Sequence, residues 1–320
     1  MRGIAILMVM GIHSLQQPLN SWETAVDALL RPCVPIFLFA SGYLTALSER
    51  VPLWKRLRAA LIPYTIAFVA AYIYMGLHNP AMDHRVATTV ARFVLAYVFV
   101  YYYVFVYVGC TIVLWAVSWA SGKGTPGSER RLVTLLLLSI ALGLIVGSYL
   151  DPLLFRRGFS DSLVEEVRMR DIPFWFSFVA LGMLIGLAGK RGGLAGMLAQ
   201  ISIAAPLAYI IYAAVRMFGL GDAADYDSVA FFGYAAALCV LLLALNLQSP
   251  VFAALGSGSY FLYIWHIFVV MALRDHADLR QFGPLASSAI TFAVTAVSSV
   301  LALLAVRALL PRNVSRWLGA

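Results

Sequence analysis

Long, continuously apolar runs separated by short polar connections recur along the whole chain. A membrane span needs about 20 apolar residues to cross roughly 30 Å of hydrocarbon, and about ten runs meet or approach that length. They are Gly3–Leu19, Leu30–Leu47, Ala59–Leu77, Phe93–Ala120 and Leu132–Leu150, then Ile172–Gly189, Leu194–Leu220, Val229–Leu247, Ser259–Leu273 and Pro284–Leu310. The ninth is short, and the fourth, seventh and tenth are long enough to tilt or to reach past the bilayer. None alternates apolar with polar as a barrel wall would. Helices satisfy their own backbone hydrogen bonds in lipid, so the pattern predicts an all-α, polytopic integral membrane helical bundle. No stretch is left over for a soluble catalytic domain, and a single domain over residues 1–320 is the expectation.

Composition removes the soluble alternatives. Apolar residues make up 62% of the chain and charged residues 12%, against about 45–50% and about 25% in ordinary globular proteins. The three cysteines, Cys33, Cys110 and Cys239, sit singly in apolar runs with no second ligand at metal spacing, so they read as small hydrophobes and no metal is expected. The net charge of +8 lies between apolar blocks rather than along one polar face, which argues against a nucleic-acid partner. It does orient the bundle. The short, nearly acid-free connections Arg50–Arg58 and Lys123–Arg131 belong in the cytoplasm by the positive-inside rule, which places both termini there too. The longest polar connection, Asp151–Asp171, then falls outside, as a solvated loop or as a surface helix or lid.

Ionisable groups inside a membrane are costly and mark function. All 15 Asp and Glu residues map to connections or span ends, which weakens a carboxylate-driven carrier. Two histidines lie at depth. His13 stands about 16 Å of helix rise, close to three whole turns, beyond Arg2, so the two share a face. Ser14, Gln16 and Gln17 make the end of that span polar, which suits a wet cavity. His266 lies in the run Tyr260-Phe-Leu-Tyr263-Ile-Trp265-His266. Desolvation favours a neutral imidazole, which can accept a proton near pH 7; interhelical hydrogen bonding is the plainer role for either ring. Lys55, Arg56 and Arg58 form the densest positive cluster, suited to phosphate or simply topogenic. Ser41, Gly42 and Tyr43 fall late in the second span, and Tyr101, Tyr102 and Tyr103 either line a polar cavity or form an interfacial belt. The pairs Gly143/Gly147 and Gly182/Gly186 have helix-packing spacing.

Four of these stretches together resemble the membrane acyltransferase-3 family, multi-span enzymes that O-acylate extracytoplasmic glycans and related acceptors. Arg2 to His13 is similar to its Arg-x10-His signature on the first span. Pro35 to Tyr43 is similar to its Phe-rich Ser-Gly-aromatic stretch, and Arg56 to Tyr64 to its basic loop ending in proline. Ser259 to His266 is similar to its late Ser-Tyr…Trp-His element. The basic loop departs from the family's Arg-x-x-Arg in reading Lys55 to Arg58 with Arg56 between.

The resemblance implies a cytoplasmic acyl-CoA donor, acetyl-CoA by analogy, and an acceptor hydroxyl on a glycan or glycolipid beyond a bacterial plasma or inner membrane. His13 and Arg2 would be the catalytic pair, His13 as general base or transient acyl carrier. Lys55, Arg56, Arg58 and Ser41 would hold the donor, with Tyr43, Tyr102, Tyr263, Trp265 and His266 lining the cavity. Two other readings stay open: an exporter or flippase of a polysaccharide or lipid-linked sugar, and a structural partner in a polysaccharide-synthesis complex. Oligomeric state, the acyl group and the acceptor are not legible in the residues.

Overall fold

The computed structural model of the chain describes residues 1–79, 81–98, 100–122, 125–190, 198–220 and 228–320. Among these residues the regular structure is entirely helical. In chain order the helices are α1 (Arg2–Ser14), α2 (Ser21–Leu30), α3 (Cys33–Ser48), α4 (Leu53–His78) and α5 (Val86–Val94). Next come α6 (Tyr102–Ala120), α7 (Ser128–Arg156), α8 (Asp161–Met169), α9 (Ile172–Lys190) and α10 (Leu198–Phe218). The last are α11 (Val229–Ala244), α12 (Pro250–Ser257), α13 (Ser259–His276), α14 (Pro284–Leu309) and α15 (Arg312–Trp317).

Among the described residues seven segments are long and apolar enough to cross a bilayer; α12 and α13, bent by 77° at their junction, make an eighth if they count as one span. The chain is a multi-pass helical membrane protein, as the apolar runs predict. Several boundaries differ from the sequence expectation. The first run stops being helical at Ser14 rather than Leu19, where Gln16, Gln17 and Pro18 follow and Pro18 has no N–H to continue the ladder. Its 13 residues rise only about 20 Å, short of a full span. The fourth run is broken: α5 ends at Val94, Ala96 takes a left-handed φ of 49°, and α6 starts at Tyr102. The connection Asp151–Asp171, expected as a loop or surface helix, is largely helical: α7 continues to Arg156, and the Arg168 Nε of α8 donates to the buried Asp151 at 2.6 Å. Lys123, Arg191 and the start of the run Leu194–Leu220 lie outside the described residues.

The chain divides into two compact units. The first comprises Met1, Thr24–Leu53 and Val106–Gln248. In it α3 lies along α9, α9 also meets α7, and α11 packs on α10 and α3. Lipid tails are as apolar as leucine, so association in a membrane depends on close packing and favours small residues at crossings. Gly42 and Gly182 are such a reciprocal pair: a Cβ on Gly42 would collide with the Val179 carbonyl, and one on Gly182 with the Phe39 carbonyl. Gly143 and Gly186 likewise have no room for a side chain, against Pro173 and Ala46. Phe174, Trp175, Phe178 and Phe231 fill the core beside them.

The second unit comprises Arg2–Glu23, Trp54–Phe105 and Ser249–Ala320. Here α1 packs against α12, α13 and α14, and α13 against α14. A side chain at Gly3 would strike the Phe252 backbone, and one at Gly258 would strike Leu303, so the α12–α13 break and the end of α14 meet tightly. Tyr260 Oη donates to the Ala60 carbonyl at 2.6 Å, bringing the start of α13 against the start of α4.

Candidate active site

Helix α1 runs beside α13 in the same direction, and both ends of the contact carry the residues singled out from the sequence. At the first end Arg2 donates to Ser259 Oγ at 3.2 Å, and Ser259 in turn donates to the Gly256 carbonyl. The hydroxyl is therefore oriented by the helix break and free to accept from the guanidinium. Lys55, Arg56 and Arg58 occupy the first turns of α4, one turn before the Ala60 carbonyl that Tyr260 binds. Arg2 and this basic turn thus gather at the same end of α13, with the Lys55 and Arg58 side chains exposed.

At the far end the His13 ring lies 5.5 Å, centroid to centroid, from the His266 ring. His13 is half-buried and sits in the last turn of α1, where its own carbonyl accepts from Arg274 at 3.0 Å. Such a bond satisfies one of the carbonyls that a helix C-terminus leaves open. His266 is completely buried. Its Nδ1 lies 3.0 Å from the Leu262 carbonyl and 2.8 Å from that of Tyr263. Carbonyls only accept, so Nδ1 carries the proton and Nε2 presents a lone pair. That Nε2 is buried with no hydrogen-bond partner. The arrangement can take a proton at one imidazole while a second, neutral one stands beside it.

The tyrosines of this unit form a wall rather than a membrane-surface belt. Tyr101 is fully buried and donates to the Ile264 carbonyl at 2.8 Å, and the buried Tyr103 packs edge-on against Tyr263 at 5.3 Å. The interruption between α5 and α6 runs up to them, which the unbroken run Phe93–Ala120 did not suggest. Tyr263 donates to the Val100 carbonyl, and Tyr102 is partly exposed. Trp265 donates through Nε1 to the Leu318 carbonyl at 3.1 Å, tying α13 to the C-terminal residues.

Ser41 and Tyr43 belong to the first unit, apart from the residues just described in its partition of the chain. Ser41 faces Leu38, Tyr107, Cys110, Thr111, Leu114 and Val179 across a gap too narrow for water, and its carbonyl accepts from Thr45 Oγ1. Tyr43 stacks on Phe39 at 6.4 Å.

Sequence reasoning missed three features. Arg274, just past the end of the ninth run, caps α1. Asp27, counted among connection acids, is buried beside Arg31 and Arg216. Ser287, Thr291, Thr295 and Ser299, buried on one face of α14, follow a spacing of four that was visible in the tenth run.

The profile of the acyltransferase-3 family, described as an acyltransferase domain, matches residues 1–305. No curated protein and no solved structure matches the chain.

Proposed function

The chain belongs to the acyltransferase-3 family and is a membrane acyltransferase; on that premise we propose that it moves an acyl group, acetyl by analogy, from cytoplasmic acyl-CoA to a hydroxyl of an extracytoplasmic glycan or glycolipid. The observation that carries this reading is the pairing of two contacts along α1 and α13: Arg2 on Ser259 at one end, His13 against His266 at the other. The anionic end of the donor rests near Arg2, Lys55, Arg56 and Arg58, where guanidiniums give bidentate contacts to phosphate and lysine a point charge. The thioester then lies toward His13.

As general base, His13 takes the proton of the acceptor hydroxyl while that oxygen bonds to the thioester carbonyl carbon. The C–S bond breaks, and the imidazolium returns its proton to the departing CoA sulfur. As transient carrier, the ring nitrogen bonds to the carbonyl carbon as the C–S bond breaks and CoA leaves as its thiol with the ring's N–H proton; the acceptor hydroxyl then attacks the acyl-imidazole, the C–N bond breaks, and the hydroxyl proton passes to the freed ring. Either route places positive charge on His13, which the carbonyl end of α1 favours by about 0.3–1 kcal/mol. His266 stands ready with its Nε2 lone pair to accept a hydrogen bond from an N–H of that ring or from the acceptor. The membrane is the plasma membrane, with the family's sidedness.

Purified protein in proteoliposomes, supplied with radiolabelled acetyl-CoA and polysaccharide extracted from the cells that make it, tests this reading. Label should enter the polysaccharide with one free CoA thiol released per acyl group. Transport of the polysaccharide with no thiol release would favour an exporter instead.

A further inference from the structure

The end of the second unit that holds His13 is hollow. A cavity of about 550 Å³ opens there, within the range of about 300–1,000 Å³ of small-molecule sites. Its wall is built from three places in the chain: Gln16 just after α1, Arg274 and Asp275 in the last turn of α13 with Asp278 and Arg280 beyond it, and Ser287 at the start of α14. His276 also borders it, held edge-on to His78 of α4 at 5.9 Å.

Three features mark it as a built site rather than a surface dent. Arg274, in the wall, also donates to the His13 carbonyl at 3.0 Å, so the cavity and the candidate base share a side chain. Tyr74 of α4 donates to Asp275, which fixes that carboxylate. Ser287 is completely buried, borders the cavity, and its Oγ has no hydrogen-bond partner. A buried hydroxyl left unpaired is unfavourable; with no exposed surface it lies just behind the cavity wall.

The charges of the wall are balanced, two guanidiniums against two carboxylates. A phosphate or a uronate would meet Asp275 and Asp278, and a cationic group would meet Arg274 and Arg280. Neighbouring hydroxyls of a neutral sugar suit both, since each can donate to a carboxylate and accept from a guanidinium N–H. We infer that this cavity holds the acceptor, and that the unit it recognises is an uncharged saccharide residue. This rests on the acyl-transfer reading above and adds the place and the charge class of the acceptor.

The test uses the full chain with radiolabelled acetyl-CoA and polysaccharide from the source cells. The double variant Asp278→Asn/Arg280→Gln keeps the net charge and changes two exposed side chains, one at the cap and one within the single 3-10 turn Leu279–Phe282. Its KM for polysaccharide should rise about tenfold or more, while its KM for acetyl-CoA stays at the unmodified value. An unchanged polysaccharide KM, or equal shifts in both constants, overturns the site. Enzymatic depolymerisation of the product should place the label on an uncharged sugar; label on a uronic acid or a phosphorylated residue overturns the charge class. If the unmodified protein transfers no label at all, the acyl-transfer reading itself fails, a result distinct from any change in KM.

Discussion

In the first unit Asp27 receives both Arg31 and Arg216, Asp151 receives Arg168, and Asp171 Oδ1 accepts from the Phe174 N–H at the start of α9. In the second, His266 Nε2 and the hydroxyls of Ser287, Ser288, Thr295 and Ser299 are buried with no partner. Both units bring backbones together at glycines, Gly42 and Gly182 in the first and Gly3 in the second, but the second also contains the 550 Å³ cavity and the imidazole pair. Native interiors pair nearly all their buried polar groups, so groups left open call for an explanation. The first unit has such groups too, at Ser118 Oγ, Asp151 Oδ1 and Asp171 Oδ2, so the contrast is one of kind: its buried charges are largely ion-paired, whereas the second unit leaves a row of hydroxyls and an imidazole open beside the candidate site. Substitutions in the first should therefore lower stability, and those in the second should lower activity.

The largest expected effect tests the second half of that statement. His13→Ala should fold with an unchanged thermal midpoint in detergent and lose label transfer by about 10²–10⁴-fold, the usual contribution of a positioned acid or base. Full turnover in a well-folded variant would remove His13 from the chemistry. Next, Asp27→Ala leaves Arg31 and Arg216 buried beside an absent carboxylate. Breaking a buried ion pair in this way costs about 3–5 kcal/mol, so its unfolding midpoint should fall well below that of His13→Ala. If it does not, paired charge is not what holds the first unit. A smaller loss, about 1–3 kcal/mol for overpacking, is expected from Gly182→Leu, whose side chain must displace the Phe39 backbone on α3. Its residual folded fraction should still turn over, which a merely catalytic defect would not allow.

The sequence offered one domain and no sign of this division, but other features were legible in the residues. Apolar run length gave the helical membrane class, and the shared face of Arg2 and His13 appears as their common approach to α13. Run length misled where local backbone chemistry decides instead. Pro18 and its polar neighbours end α1 early, and the left-handed turn at Ala96 divides a run that hydropathy reads as continuous. Placement of polar groups from different helices was beyond reach. Nothing near Asp27 announces Arg216, and nothing near His13 announces His266 or Arg274, because those contacts join segments far apart in the chain. Grouping Ser41 with the basic cluster drew on the resemblance alone, and the chain partitions them into different units.

The smallest expected effect probes the hydroxyls of α14. Thr295 is completely buried and its Oγ1 has no partner. Within the same helix Thr291 Oγ1 donates to the Ser287 carbonyl at 2.8 Å, so a self-bonded alternative exists that Thr295 does not use. Replacing it by valine keeps the branched shape and removes the orphan oxygen. If that oxygen is bonded to nothing, Thr295→Val should stabilise the protein by up to about 1–3 kcal/mol, the desolvation penalty it relieves. A midpoint that rises or holds in calorimetry, with label transfer unchanged, would confine the open polar groups of functional interest to His266 and Ser287. A midpoint that falls, or a raised KM for acetyl-CoA, would mean that the hydroxyl is satisfied by water or by the donor in the working protein. The comparison between the units would then sharpen, because the polar face of α14 would join the surface on which the reaction runs.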